Sequence, residues 1–118
     1  MITALHLLMY SPDAEADRAF LRDVLGWAAV ADEHSAPDWL IFKAPPAEIG
    51  VHPTDGPPVT ELHLMCDDLA ATLAELNGKG VETGPISDEG WGVRSTIVLP
   101  SGTSIGLYQP RHPTAYQL

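Results

Sequence analysis

The residues best suited to chemistry in this chain lie in one short stretch, residues 60–68, with the sequence T-E-L-H-L-M-C-D-D. In a strand, successive side chains point to opposite faces, so Glu61 and His63 share one face and apolar residues share the other. If that face lines a cavity, Glu61 and His63 can form a charge-assisted pair, and Glu61 becomes a candidate catalytic general base. If the face is wet, both residues are simply solvated.

The overall charge excludes several classes of partner. The 118 residues include six Lys and Arg against sixteen Asp and Glu, giving a net charge of −10. Phosphate-binding surfaces rely on Lys and Arg, so we expect neither nucleic acid nor an anionic membrane as a partner.

No apolar run approaches the roughly 20 residues that span a bilayer. The lone Cys66 excludes an internal disulfide, and residues 1–6 contain no basic leader, so we expect a cytoplasmic protein.

The predicted secondary-structure elements that position these side chains occur in the same order twice. The first half predicts a strand at residues 2–10, a helix capped by Ser11 or Asp13 and ended by Gly26, and strands at 27–31, 39–42 and 48–52. The second half predicts a strand at 61–66, a helix capped by Asp67 or Asp68, and strands at 81–86, 92–99 and 104–109, with a turn at 100–102. We therefore expect a single domain over residues 1–118, comprising a module at about 1–53, a connector at 54–59, a second module at about 60–110 and a tail at 111–118.

Alternation along the strands predicts which residues share a face of the sheet. We expect four apolar pairs to face the helices: Leu5 and Leu7, Ile49 and Val51, Leu62 and Leu64, and Ile105 and Leu107. The opposite faces then carry the polar candidates: His6, Glu48, His52, Glu61, His63 and Tyr108. This convergence is typical of a binding cup, although a sheet with one solvated face has the same pattern.

Aromatic residues and one arginine complete the set of candidate ligand-binding residues. Tyr10, Trp39, Trp91 and Tyr108 either supply the walls of a small-molecule pocket or pack in the core and at a dimer interface. Arg94 is one of few cations in the chain. It either orients an anionic or carbonyl group of a ligand or lies exposed at a sheet edge.

The order of elements and several motifs resemble the vicinal oxygen chelate superfamily, which includes glyoxalase I, bleomycin-resistance proteins and extradiol dioxygenases. In the first half, His6 stands seven residues before Asp13, and Phe20 precedes V-L-G-W at 24–27. In the second half, the matching motifs are C-D-D-L at 66–69, W-G-V-R at 91–94, P-S-G at 100–102 and G-L-Y-Q-P at 106–110. The resemblance implies an α+β fold in which two βαβββ modules form an open cup-shaped mixed sheet with helices outside.

The resemblance also implies where a metal would bind, because metal-using members ligate one divalent ion from the first and fourth strands of each half. His6 and Glu61 match two of these four positions, whereas Gly50 and Gly106 fall at or near the other two and offer no side chain. We therefore favour no cofactor. A Zn²⁺, Ni²⁺ or Fe²⁺ site remains an alternative through His6, Glu61 and one of three further residues: His52, Glu48 or His63.

The function expected from these features is binding of a small molecule by a homodimer. The ligand would be an aromatic or oxygenated compound held in the cup, as in resistance proteins that sequester a drug. The alternative is a divalent-metal-dependent lyase, isomerase or dioxygenase that uses His6 and Glu61. A third possibility is an assembly module without a small ligand. The sequence leaves open whether the cup forms within one chain or by exchange between two chains.

Overall fold

The computed structural model describes residues 6–31 and 40–118 as a mixed α and β structure with an open sheet. Its elements in chain order are helix α1, Ala14–Ala19; a π-helical turn, Phe20–Val24; strands β1, Ala29–Ala31, and β2, Leu40–Phe42; strand β3, His63–Met65; helix α2, Leu69–Gly78; and strands β4, Ser87–Asp88, β5, Gly92–Val98, and β6, Ser104–Pro110. The predicted α+β class is confirmed. No helix in the described ranges is long and apolar enough to cross a bilayer.

The larger sheet has four strands in the order β3, β6, β5, β4. β3 runs parallel to β6 and places His63 opposite Gly106, while β5 runs antiparallel to β6 and places Arg94 opposite Tyr108. Residues that lie opposite each other on neighbouring strands share a face of the sheet. The register therefore brings His63, Arg94, Gly106 and Tyr108 onto one face.

The other face of this sheet packs against helix α2 and forms the core. Leu69, Leu73 and Leu76 recur at helical spacing and are 1%, 7% and 6% exposed. They belong to one buried cluster with the apolar residues of β5, β6 and the segments beside them: Phe20, Val81, Ile97, Leu99, Ile105 and Leu107. Leu62, Leu64 and Cys66 pack against this cluster, so the predicted helix-facing sides of β3 and β6 are confirmed.

Side chains fix where the two helices begin. Asp13 Oδ1 accepts a hydrogen bond from the Ala16 N–H at the start of α1, and Asp68 Oδ1 accepts one from the Ala71 N–H at the start of α2. These carboxylates satisfy N–H groups that have no partner within the helix. Each residue was one of two predicted caps for its helix.

The first half of the chain departs from the predicted strands. Residues 6–10 and 48–52 lack regular structure, and β1 and β2 form a separate two-stranded sheet. Leu7, Ile49 and Val51 are 59%, 73% and 96% exposed, so the expectation that they face helices is wrong for a single chain. An extended segment becomes a strand only when a neighbour satisfies its backbone groups. Within the described residues, no neighbour pairs with these two segments.

A buried carboxylate holds α1 against the β5–β6 turn. Asp17 is 6% exposed; its Oδ1 accepts from the Ser101 N–H at 3.1 Å, and its Oδ2 accepts from the Ser101 hydroxyl at 2.7 Å. We expect Asp17→Ala to lower the free energy of unfolding by about 2–3 kcal/mol, because both donors lose a charged acceptor in a partly buried place. Urea unfolding followed by circular dichroism measures this change.

The matched control for Asp17 is Asp67→Ala, since Asp67 is exposed just before α2. This variant should unfold close to the wild-type midpoint. An unchanged midpoint in Asp17→Ala would contradict the assigned role of the buried carboxylate.

Candidate functional site

The pair at the centre of the polar face is His63 with Arg94. The Arg94 Nε–H donates to His63 Nε2 at 3.4 Å, so this ring nitrogen acts as an acceptor. Glu61 Oε2 lies 3.8 Å from the same nitrogen, and the Glu61 side chain is 70% exposed. Glu61 and His63 therefore share a face as predicted, and Arg94 joins them from the next strand but one.

Gly106 provides the space in which the His63 ring lies. A Cβ atom at position 106 would stand 2.3 Å from His63 Cδ2 and 2.7 Å from Nε2, distances that real Cβ atoms do not adopt. Gly106 occupies the position where the superfamily resemblance places a glutamate ligand. The imidazole of His63 covers that position here.

Tyr108 connects this pair to a second group of side chains along β6. Its ring lies edge-on to His63 with centroids 5.9 Å apart, and edge-on to Trp91 at 5.1 Å. Its hydroxyl lies 3.0 Å from His112 Nε2. Burial, and next the negative charge of Glu48, raise the pKa of Tyr108 above its usual value, so the phenol stays protonated at neutral pH.

Glu48 anchors the C-terminal tail beside Tyr108. Its Oε2 accepts from the Ala115 N–H at 2.6 Å and from the Tyr116 N–H at 3.3 Å, and its Oε1 lies 4.0 Å from His112 Nε2. The Glu48 side chain is only 17% exposed. This predicted ligand-binding residue is thus engaged by the tail of its own chain.

His112 is a member of the site that the sequence analysis missed. The residues of β6 that share a face are 106, 108 and 110, and continued alternation reaches 112. The predicted strand ends at residue 109 and residues 111–118 are a predicted tail, so His112 falls outside the predicted alternation. That alternation was the available signal.

A cavity of about 450 Å³ opens on the polar face. Its walls include His63 and Arg94 from the sheet, Glu61 just before β3 and, from the first segment of the chain, Tyr10. The remaining lining residues are Leu7, Leu8, Met9, Thr60, Leu62, Thr103, Ser104, Ile105 and Gly106. Its volume lies within the roughly 300–1,000 Å³ of small-molecule sites. Trp91 and Tyr108 lie outside this lining, further along the same face of the sheet.

The structure does not bring all predicted site residues together. His6 is exposed and does not line the cavity. His52 is also exposed, and its Nδ1 lies 2.9 Å from the Pro53 carbonyl oxygen next to it. Tyr10 lines the cavity but is 89% exposed. Trp39 lies outside the described residues.

The donor groups of the described residues do not suit a divalent metal ion. In residues 6–31 and 40–118, no three His, Cys, Asp or Glu side chains converge where an ion could be held. His63 Nε2 already accepts a hydrogen bond from Arg94, and a guanidinium beside a metal would repel it. Glu61 is the one carboxylate of the described cavity lining. The described residues therefore do not form a site that fits a divalent metal ion.

Comparison with known proteins gives structural relatives. No protein-family model matches the sequence, and neither does any curated protein. TnmS3, an antibiotic binding protein from Streptomyces sp. CB03234, is 27% identical with a TM-score of 0.68, over 92% of this chain and 97% of its own. A glyoxalase/bleomycin resistance protein from the same organism is 27% identical with a TM-score of 0.59, over 84% and 93%.

An enzyme has the same fold at lower identity. Lactoylglutathione lyase from Agrobacterium tumefaciens is 19% identical with a TM-score of 0.62, over 91% of this chain and 92% of its own. At this identity the likeness concerns the fold alone. Together with the βαβββ order of β3 to β6, these similarities agree with the motifs of the sequence. The chain therefore has the vicinal oxygen chelate fold of the glyoxalase, bleomycin-resistance and dioxygenase proteins.

Proposed function

We propose that this protein binds a small aromatic or oxygenated compound on the polar face of its four-stranded sheet and sequesters it without chemical change. The observation that carries this proposal is the cavity of about 450 Å³, which is lined by His63 and Arg94 together with apolar side chains. The metal-dependent lyase, isomerase or dioxygenase has less support, because His6 lies outside the cavity lining and His63 Nε2 already has Arg94 as its donor. The similarity to an antibiotic binding protein points the same way.

Aromatic character of the ligand follows from the side chains left uncovered on this face. Trp91 is 43% exposed although it packs against Tyr108, and Tyr10 in the cavity wall is 89% exposed. A flat ring placed against these groups buries apolar area, worth roughly 25 cal/mol per Å², and adds edge-to-face contacts. Such a ligand would extend from the cavity towards Trp91.

We further propose that the protein is a homodimer. A compact chain of 12.7 kDa is expected to expose about 6,200 Å², whereas this chain exposes 8732 Å². The excess is larger than the roughly 800 Å² per partner of a standard interface. It includes Ile49 and Val51, whose segment lacks a partner for its backbone groups in the described chain. A second copy is the occupant that would cover both these apolar side chains and this extended segment.

The function is tested by titrating a panel of neutral aromatic compounds with two to four fused rings against the protein, using calorimetry. We expect dissociation constants in the micromolar range for the best of them. Trp91→Ala should weaken binding about 10- to 100-fold, because it removes a partly exposed aromatic contact worth about 1.5–3 kcal/mol.

Trp27→Ala is the control, because Trp27 follows the first helical segment, whereas Trp91 packs against Tyr108 on the polar face. It should leave the dissociation constant within about threefold of wild type, a difference of about 0.7 kcal/mol. If both tryptophan variants lose binding equally, the proposed site is wrong.

A further inference from the structure

The guanidinium of Arg94 has donor groups that the described chain does not use. One of its five N–H groups is directed to His63 Nε2. No carboxylate in the described residues lies within ion-pair distance of Arg94, whereas Arg22 pairs with Asp23 and Arg111 pairs with Asp88. This is unexpected in a chain with sixteen acidic residues and six basic ones.

The unused N–H groups of Arg94 are not fully buried. Arg94 is half-buried and lines the cavity of about 450 Å³. Among the described residues, no fully buried side-chain nitrogen or oxygen lacks a hydrogen-bond partner. The remaining N–H groups of Arg94 therefore keep some exposure to solvent, and the residue that carries them is part of the cavity lining.

The surroundings of Arg94 hold its planar group in position. His63 Nε2 accepts from Arg94 Nε, and Gly106 gives the His63 ring the room to lie there. Tyr108 lies opposite Arg94 in the strand register and contacts His63 edge-on. A guanidinium held by one nitrogen presents its other N–H groups as a fork, which matches the two oxygens of a carboxylate.

We infer that the compound held in this cavity carries an anionic oxygen, a carboxylate or an ionised phenol or enol, and that Arg94 binds it. This inference rests on the proposed function and deepens it by naming the chemical class of the ligand. The net charge of the whole chain would favour a cation, but hydrogen bonds at a half-buried guanidinium act at short range and dominate over distant surface charges.

Glu61 is the group that opposes an anion in this cavity. It is the one acidic residue of the described lining, and Arg94 is the one Lys or Arg there. The Glu61 side chain is 70% exposed, so it can turn towards water when an anion binds. Removing its charge should strengthen the binding of an anion, whereas removing the charge of Arg94 should weaken it.

The test uses three probes built on one ring system: 2-naphthoate, 2-naphthamide and protonated 2-naphthylmethylamine. Calorimetry at neutral pH and low salt should give 2-naphthoate the highest affinity, about 10-fold or more above the amide, because a charged acceptor binds a guanidinium more strongly than a neutral one. Arg94→Gln should weaken 2-naphthoate about 10- to 100-fold and change 2-naphthamide less than about threefold. Glu61→Gln should strengthen 2-naphthoate about two- to fivefold.

Two further variants serve as controls. Arg22→Gln makes the same change of charge at an exposed arginine that pairs with Asp23, and it should leave all three affinities unchanged. Arg94→Lys keeps the charge but loses the planar fork, so it should retain the preference for 2-naphthoate at lower affinity. It also provides a result if Arg94→Gln does not fold.

The outcomes separate this inference from the proposed function. If 2-naphthamide binds as tightly as 2-naphthoate, or if Arg94→Gln weakens both probes equally, an anion-binding role for Arg94 is wrong while the binding function stands. Preferred binding of the ammonium probe would also overturn it. If none of the probes binds and the neutral aromatic panel also fails, the proposed function falls together with this inference.

Discussion

Gly106→Ala should lower the free energy of unfolding by about 1–3 kcal/mol, a large effect for one methyl group. The reason is that the new Cβ would meet three atoms of the His63 ring, at 2.3, 2.7 and 3.0 Å. His63 must then leave its place, and Arg94 loses the acceptor for its Nε–H. Urea unfolding measures the loss of stability, and titration with 2-naphthoate measures the loss of binding that should accompany it.

Repeating the Gly106→Ala change in a variant without the His63 ring makes the prediction specific. When His63 is first replaced by alanine, the Gly106→Ala change meets no ring and should become neutral or stabilising by up to about 0.5 kcal/mol, since alanine loses less backbone entropy than glycine in a strand. Such a change of sign is a direct measure of contact between the two residues. Gly78→Ala, where a Cβ meets nothing within 4 Å, should be stabilising in both backgrounds. Equal effects of Gly106→Ala with and without His63 would contradict the assigned contact.

Val51→Asp should dissociate the proposed dimer, weakening self-association about 100-fold or more. Val51 is 96% exposed in the single chain, so the substitution costs an isolated chain almost nothing. If a second copy covers Val51, the same substitution buries a charge in an apolar interface, which costs about 3 kcal/mol or more. Sedimentation equilibrium of the wild type and the variant at several concentrations measures the difference.

Ala74→Asp is the matched control for Val51→Asp, because it adds the same charge on the exposed face of α2. It should leave the dimer intact. A wild-type protein that stays monomeric at high micromolar concentration would refute the dimer. A Val51→Asp protein that associates like the wild type would remove Val51 from the interface.

The second half of the chain was predictable because its signals are local and agree with one another. The apolar spacing of Leu69, Leu73 and Leu76 predicts α2, and Asp68 was one of two predicted caps. The P-S-G motif predicts the turn between β5 and β6, which the hairpin confirms. The predicted strand at 81–86 is reduced to one bridge between Thr83 and Ile97, with β4 starting at residue 87. Proline at 85 removes a backbone donor there, which accounts for the interruption.

The first half was less predictable because strand pairing depends on partners that are distant in sequence. The apolar runs at 2–10 and 48–52 have the composition of strands. Composition does not provide the backbone acceptors and donors that complete a sheet, and within the described residues these segments have none. The exposed valine and isoleucine side chains there mark the same missing neighbour.

For the site, alternation along the strands correctly placed Glu61, His63 and Tyr108 on one face. It did not indicate how these residues are used. Arg94 was expected to be either a ligand-binding residue or an exposed edge residue, and the register of β5 against β6 places it half-buried beside His63. Glu48, a predicted ligand-binding residue, accepts hydrogen bonds from the tail at residues 115 and 116.

The sequence by itself determined the fold class, the family whose fold the chain shares and the faces of its second sheet, because these depend on side-chain periodicity and short motifs. Only the tertiary structure determined which side chain fills the space at Gly106, where the superfamily resemblance places a glutamate ligand. The absence of a side chain at Gly106 could have meant an empty metal position, but the register sets His63 directly over it and Arg94 beside His63. Contacts between three separate strands made that choice, and no local pattern along the chain encodes them.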